Sequence, residues 1–177
     1  MYMKATRLFL MVLSAAMLSG CGAKGYKNQQ ETDNPNEQYE PKVRQMPDYH
    51  VTDTATAGGH IYTYDITRQC SEQLPKVKDN DDLFADNTIH LVIHCDGDLL
   101  FDKIFTKDVF AESMEPDFLQ NSILDGIRFV KAEPGQGLTF SFTVSYPDSD
   151  MSVPFLVTVD AGGNFSFVKD NNLEMEE

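Results

Sequence analysis

Leu138-Thr139-Phe140-Ser141-Phe142-Thr143-Val144-Ser145-Tyr146 alternates without a break. On an extended chain Leu138, Phe140, Phe142, Val144 and Tyr146 fall on one face, and only Thr and Ser fall on the other. The pattern predicts an antiparallel strand with one apolar face in a core and one wet face of hydroxyls, and it decides the fold as mainly β.

Toward the C-terminus, Pro147-Asp148-Ser149-Asp150 supplies a turn, and Met151–Asp160 follows as a strand whose Val153, Phe155, Val157 and Val159 share a face. Pro154 has no N–H for a ladder, so it sets this strand's beginning at an edge or a bulge. Ala161-Gly162-Gly163-Asn164 turns the chain into a last strand, Phe165–Lys169. Toward the N-terminus, Ile123–Lys131 reads as a strand with a bulge or bend at Asp125-Gly126. Lys107–Asn121 carries Val109, Phe110, Met114, Phe118 and Leu119 near helical spacing, and Pro116 splits it or starts a new turn there. In Thr88–Cys95, Ile89, Leu91, Ile93 and Cys95 share a face, and Asp96-Gly97 predicts a tight hairpin into Leu99–Thr106. His60–Arg68, preceded by Gly58-Gly59, is rich in aromatic and β-branched residues and reads as the first strand. Residues 58–172 are therefore expected to form a single antiparallel β-sandwich or curved sheet with one short helix. About 115 residues suffice for one core. Residues 173–177 are acidic and are expected to be a frayed tail.

Residues 21–57 are rich in Gln, Asn, Glu, Asp, Lys and Pro, with no sustained apolar period. Such a segment buries too little surface to offset its ordering entropy and is expected to be a flexible linker. Residues 1–20 have the layout of an export signal: Lys4 and Arg7, an apolar run from Leu8 to Leu18, then Leu18-Ser19-Gly20-Cys21. The run is too short for a transmembrane helix, which needs about 20 apolar residues. Leu18–Cys21 resembles a bacterial lipobox, which implies that the Cys21 thiol is acylated and becomes the first mature residue. Two or more acyl chains, at about 0.8 kcal/mol per buried CH₂, hold a protein stably on a bilayer. Gly22, in place of an acidic retention signal, points to the outer membrane. Simple secretion with cleavage near Ala16 is the alternative.

Removing residues 1–20 takes Lys4 and Arg7 from the 14 basic residues and none from the 28 acidic ones, leaving 12 against 28, a net charge of −16. Nucleic acid and anionic headgroups are recognised through Lys and Arg, so such a surface argues against nucleic-acid binding.

Leu74-Pro75-Lys76-Val77-Lys78-Asp79, Asp86-Asn87, Phe105-Thr106-Lys107-Asp108-Val109-Phe110 and Tyr146-Pro147-Asp148-Ser149-Asp150 resemble the pattern of an uncharacterised bacterial lipoprotein family, domain of unknown function 4738. The resemblance covers most of residues 58–170 and includes the lipobox and linker. It implies an envelope address and a single domain, and brings no catalytic residue with it.

No motif for chemistry emerges. His90 and His94 lie on a strand, which sets their Cα atoms roughly 13 Å apart, too far to share one zinc. Asp79-Asn80-Asp81-Asp82, with Asp86 and Asn87, is a dense oxygen cluster, but Phe84 stands where an EF-hand loop needs glycine and no final glutamate follows. It reads as a solvated loop. There is no G-x-S-x-G, H-E-x-x-H or phosphate-binding loop, and Gly135-Gln136-Gly137 reads as a turn before a strand. No metal or cofactor is expected. With Cys21 acylated, Cys70 and Cys95 remain, and an oxidising compartment leaves a Cys70–Cys95 disulfide open. That bond needs parallel neighbouring strands; antiparallel neighbours hold the two residues far apart.

The expectation is a lipid-anchored, non-enzymatic envelope protein whose membrane contact is its N-terminal lipid and whose β domain serves as an interaction or structural module for an envelope partner. The alternatives are a small apolar-ligand carrier with a lipocalin-like pocket lined by the Phe and Val face, and an enzyme using scattered carboxylates.

Overall fold

The computed structural model describes residues 42–171. Its strands are β1 (Val43–Arg44), β2 (Tyr49–Ala57), β3 (His60–Cys70), β4 (Val77–Asp79), β5 (Asp82–Phe84), β6 (Asn87–Cys95), β7 (Asp98–Phe105), β8 (Ile123–Glu133), β9 (Gly137–Ser145), β10 (Ser152–Val159) and β11 (Phe165–Lys169). Between β7 and β8 lie a 3-10 turn, Lys107–Ser113, and a short helix α1, Pro116–Asn121.

Two four-stranded antiparallel sheets, in the orders β2-β3-β6-β7 and β11-β10-β9-β8, form a sandwich-like pair. A three-stranded ribbon, β1-β5-β4, stands beside them. The inner faces meet through aromatic rings: Phe105 packs on Phe142 at 4.8 Å between centroids, and Tyr64 on Phe140 at 5.4 Å. Phe110, from the 3-10 turn, is fully buried and stacks on Phe155 at 4.5 Å, joining the core on the β11-β10-β9-β8 sheet. Ile89, Leu91 and Ile93 of β6 and Leu138, Phe140, Phe142 and Val144 of β9 are fully buried, as their period-two alternation predicts.

Several local expectations hold for visible reasons. Asp96 and Gly97 both have positive φ, +52° and +96°, as a mirror-image hairpin turn demands. The β8–β9 register shifts between Leu124 and Gly126, the bulge expected at Asp125-Gly126. Pro154 sits at the end of the β10–β11 pairing, where its carbonyl accepts from the Asp170 N–H, so no ladder partner is left waiting for its missing N–H.

Other expectations are corrected. The linker does not extend to residue 57: Tyr49–Ala57 is strand β2, paired rung for rung with β3 from Tyr49↔Arg68 to Ala57↔His60. An edge strand needs only a thin apolar stripe, which Val51, Ala55 and Ala57 provide. Asp53 falls on the same inward row, and inward-pointing charge protects an edge against unwanted pairing. Pro116 stands at the start of α1 and splits Lys107–Asn121 into a 3-10 turn and a short helix, as expected of it, so the one short helix becomes two short pieces. Both sheets of the sandwich are antiparallel as expected; the side ribbon adds one parallel pair, β1 with β5. The hydroxyl face of β9 is not wet: Thr139, Ser141 and Ser145 are buried. β9 is an inner strand whose short side chains are flanked by longer neighbours, Ser141 by Leu156 and Arg128, and Thr139 meets Thr158 at 3.1 Å. The expected export signal, Cys21 and the tail at 173–177 lie outside the described residues.

Candidate functional site

Three features of the described residues combine polar groups with a defined geometry. The first is buried. Asp86, 1 % exposed, accepts hydrogen bonds at Oδ1 from the backbone N–H groups of Asn87 and Leu124, both 2.8 Å, and its Oδ2 lies 3.3 Å from Lys107 Nζ. Asn87 donates from Nδ2 to the Leu124 carbonyl at 2.8 Å, and Lys107 donates to the Ser122 carbonyl. A buried ion pair is tolerated when further hydrogen bonds reach both partners, as the two N–H groups on Asp86 and the Ser122 carbonyl on Lys107 do here. The network ties the start of β6, the 3-10 turn and the start of β8 together. It gives Asp86-Asn87 and Lys107 a structural task.

The second feature is a cleft of about 420 Å³ beside that network, bounded by Arg44, Phe84, Ile123, Tyr146 and Asp148. Arg44 pairs with Asp148 and, at 3.4 Å, with Asp82, while its guanidinium lies over the Phe84 ring. Asp79 and Asp82 close the β4–β5 hairpin around Asn80, whose φ is +51°. The acidic stretch is thus a tight turn engaged with Arg44.

The third feature lies where the sandwich opens at the β6–β7 hairpin. His60, Tyr62 and Tyr64 share the inward row of β3, and His60 is the exposed member at its end. Cys95 ends the inward row of β6 and pairs in register with Tyr62. Asp96 is held twice against Ile61: its backbone N–H donates to the Ile61 carbonyl at 2.8 Å, and its Oδ1 accepts from the Ile61 N–H at 2.9 Å. That leaves Oδ2 facing His60 Nδ1 at 2.7 Å. His60 hydrogen bonding, then the Ile61 N–H, holds the Asp96 carboxyl below its ordinary range. Burial first, then the Cys95 thiol, pushes the Tyr62 phenol up. One ligand atom each from His60, Cys95 and Asp96 lies within 4.8 Å of the other two.

This cluster escapes a sequence reading because His60 is 35 residues and one whole strand away from Cys95-Asp96. The available signal was the pairing of the first strand with the one ending in Cys-Asp-Gly. His90 and His94 make no joint site: His90 Nε2 contacts Asp102 at 2.7 Å. Another pair, His50 Nε2 to Asp65 at 2.8 Å, lies across β2 and β3.

The strand register decides against the Cys70–Cys95 disulfide that the sequence leaves open. Both thiols are free. β3 and β6 are antiparallel neighbours, so Cys70 pairs with Asn87 and Cys95 with Tyr62, eight rungs or roughly 26 Å apart at 3.3 Å per residue. A bridge requires Cα atoms within about 7 Å.

No curated protein matches the chain. A family model does, over residues 27–167, a stretch that takes in the cleft, the buried network and the hairpin cluster. A match of that extent shows that the chain belongs to the family described as Domain of unknown function (DUF4738).

Proposed function

We propose that this protein is a lipoprotein of the bacterial cell envelope, held at the outer membrane through an acylated Cys21, and that its β-sandwich is a non-enzymatic interaction module. The observation supporting a module over a carrier is the filled interior. The phenylalanines that would line a ligand pocket touch one another instead, with Phe110 between Phe142, Phe155 and Phe167 at centroid distances of 5.6, 4.5 and 5.1 Å. The clefts lie outside that core, and the Arg44–Tyr146–Asp148 cleft presents a mixed polar and aromatic wall suited to a protein segment. The anchor is supported by Leu18-Ser19-Gly20-Cys21 and the apolar run before it.

A single set of cell experiments tests both parts. Cys21→Ala should release the protein from the membrane fraction and abolish acyl labelling while the sandwich stays folded. A photo-cross-linking residue at Ser149, beside the cleft, should give a discrete adduct with an envelope protein, whereas one at Thr54 on β2 should not. Retention of the Cys21→Ala variant on membranes would overturn the anchor. Equal or absent adducts at both positions would overturn the cleft as the contact surface.

A further inference from the structure

We infer that His60, Cys95 and Asp96 form a binding site for a borderline-soft divalent transition metal, zinc first among them. Imidazole nitrogen, thiolate sulfur and carboxylate oxygen are the three ligand types zinc takes in proteins, at about 2.0–2.1, 2.3 and 2.0–2.2 Å. The three ligand atoms already lie within 4.8 Å of one another. Tetrahedral bonds of those lengths separate ligand atoms by roughly 3.3–3.6 Å, so side-chain rotation closes the set without moving a strand. Hard cations are disfavoured, because magnesium and calcium take oxygen ligands.

The surroundings are those of a metal site rather than a chance encounter on the surface. Asp96 is oriented by the Ile61 N–H on one carboxylate oxygen, which leaves the other for a metal, and such outer hydrogen bonds fix ligand direction. Asp96 and Gly97 hold the hairpin that brings the carboxylate back beside His60. Cys95 is half-buried against the core, with the Tyr62 phenol beside it, and the register leaves its thiol unbridged. His60 and Asp96 are more than half exposed, so an ion has a path in.

Binding would replace protons. His60 ligates as neutral imidazole, Asp96 as carboxylate and Cys95 as thiolate, so the Cys95 S–H proton, and the second ring proton of His60 wherever it is carried, pass to solvent. Affinity therefore rises with pH as these protons become easier to remove. Three protein ligands leave a fourth position for water or for a donor from a partner.

The test uses the full-length protein in detergent, reduced and freed of metal with a chelator, then titrated with Co²⁺ and afterwards with Zn²⁺. The expected result is a thiolate-to-cobalt charge-transfer band with tetrahedral visible bands, saturating at one Co²⁺ per chain and bleached by Zn²⁺. Cys95→Ser and His60→Ala should abolish the charge-transfer band or the tetrahedral spectrum, and Asp96→Asn should weaken binding about tenfold or more. Cys21→Ser and Cys70→Ser should leave the spectrum intact. Circular dichroism on each sample reports folding, and the exposed His60 ring makes His60→Ala the variant least able to disturb the core. A missing charge-transfer band, or one that survives Cys95→Ser or vanishes with Cys70→Ser, would overturn the site.

Discussion

Asp65 accepts from Thr52 Oγ1 at 2.6 Å and meets His50 Nε2 at 2.8 Å, and these contacts hold its carboxyl below the ordinary range. The Thr52 hydrogen bond is the largest cause, opposed by burial and reinforced by His50 and Thr67. A carboxyl depressed in the folded state stabilises the fold at pH above its unfolded pKa, and that contribution is lost as pH falls through its lower folded pKa. Thr52→Val should therefore raise the Asp65 midpoint and move the onset of acid unfolding to higher pH. Carbon NMR of the Asp65 carboxyl through an acid titration measures the first effect, and an unmoved midpoint would show that Thr52 is not the controlling partner. At this scale the sequence displays residues but not their partners. Asp86-Asn87 stands out as part of an acidic stretch, yet nothing in the linear chain says that Lys107 reaches it. His60 and Cys95 acquire meaning only through the β3–β6 register.

Elements were legible in proportion to their burial. The long inner strands β6, β9 and β10 have a continuous apolar row, and their period-two pattern locates them. Edge strand β2 and the ribbon strands of two or three residues have too little apolar surface to show a period. The buried hydroxyls of β9 deceived in the opposite direction, because polarity signals solvent only when neighbouring strands leave room for it. The turn at Gly135-Gln136-Gly137 was readable, though not its tightness. Gly137 has φ +96°, and a Cβ there would lie 2.0 Å from the Val159 carbonyl oxygen. Gly137→Ala should cost more than about 1 kcal/mol, combining the backbone penalty with a clash against β10. Gly59, at φ +84° with nothing within 4 Å of its added Cβ, carries only the first term. Chemical denaturation should show the larger loss for Gly137→Ala; equal losses would mean that β10 yields without resistance.

For the whole molecule, the revised N-terminal boundary has the largest effect. A chain beginning at residue 58 lacks β1 and β2, which strips one edge from the β2-β3-β6-β7 sheet and removes Val51, Ala55 and Ala57 from the core. A chain beginning at residue 42 keeps both. The longer one should give a dispersed amide NMR spectrum and a cooperative melt, and the shorter one should aggregate or lose near-ultraviolet circular dichroism. Two equally native spectra would return residues 43–57 to the status of a linker. The same boundary governs how the sandwich meets force. A pull arriving along the chain from before residue 42 would peel β2 from Tyr49 toward the Gly58-Gly59 turn, rung after rung. Two arginines stand ahead of that first rung. Arg44 is bound to Asp82 and Asp148, while Arg68 donates to the Pro47 carbonyl at 2.8 Å and lies over the Tyr49 ring. Together with the β1–β5 pairing, these clasps stand between such a pull and the β2–β3 ladder, so load would be spent on them while the sheet stays closed.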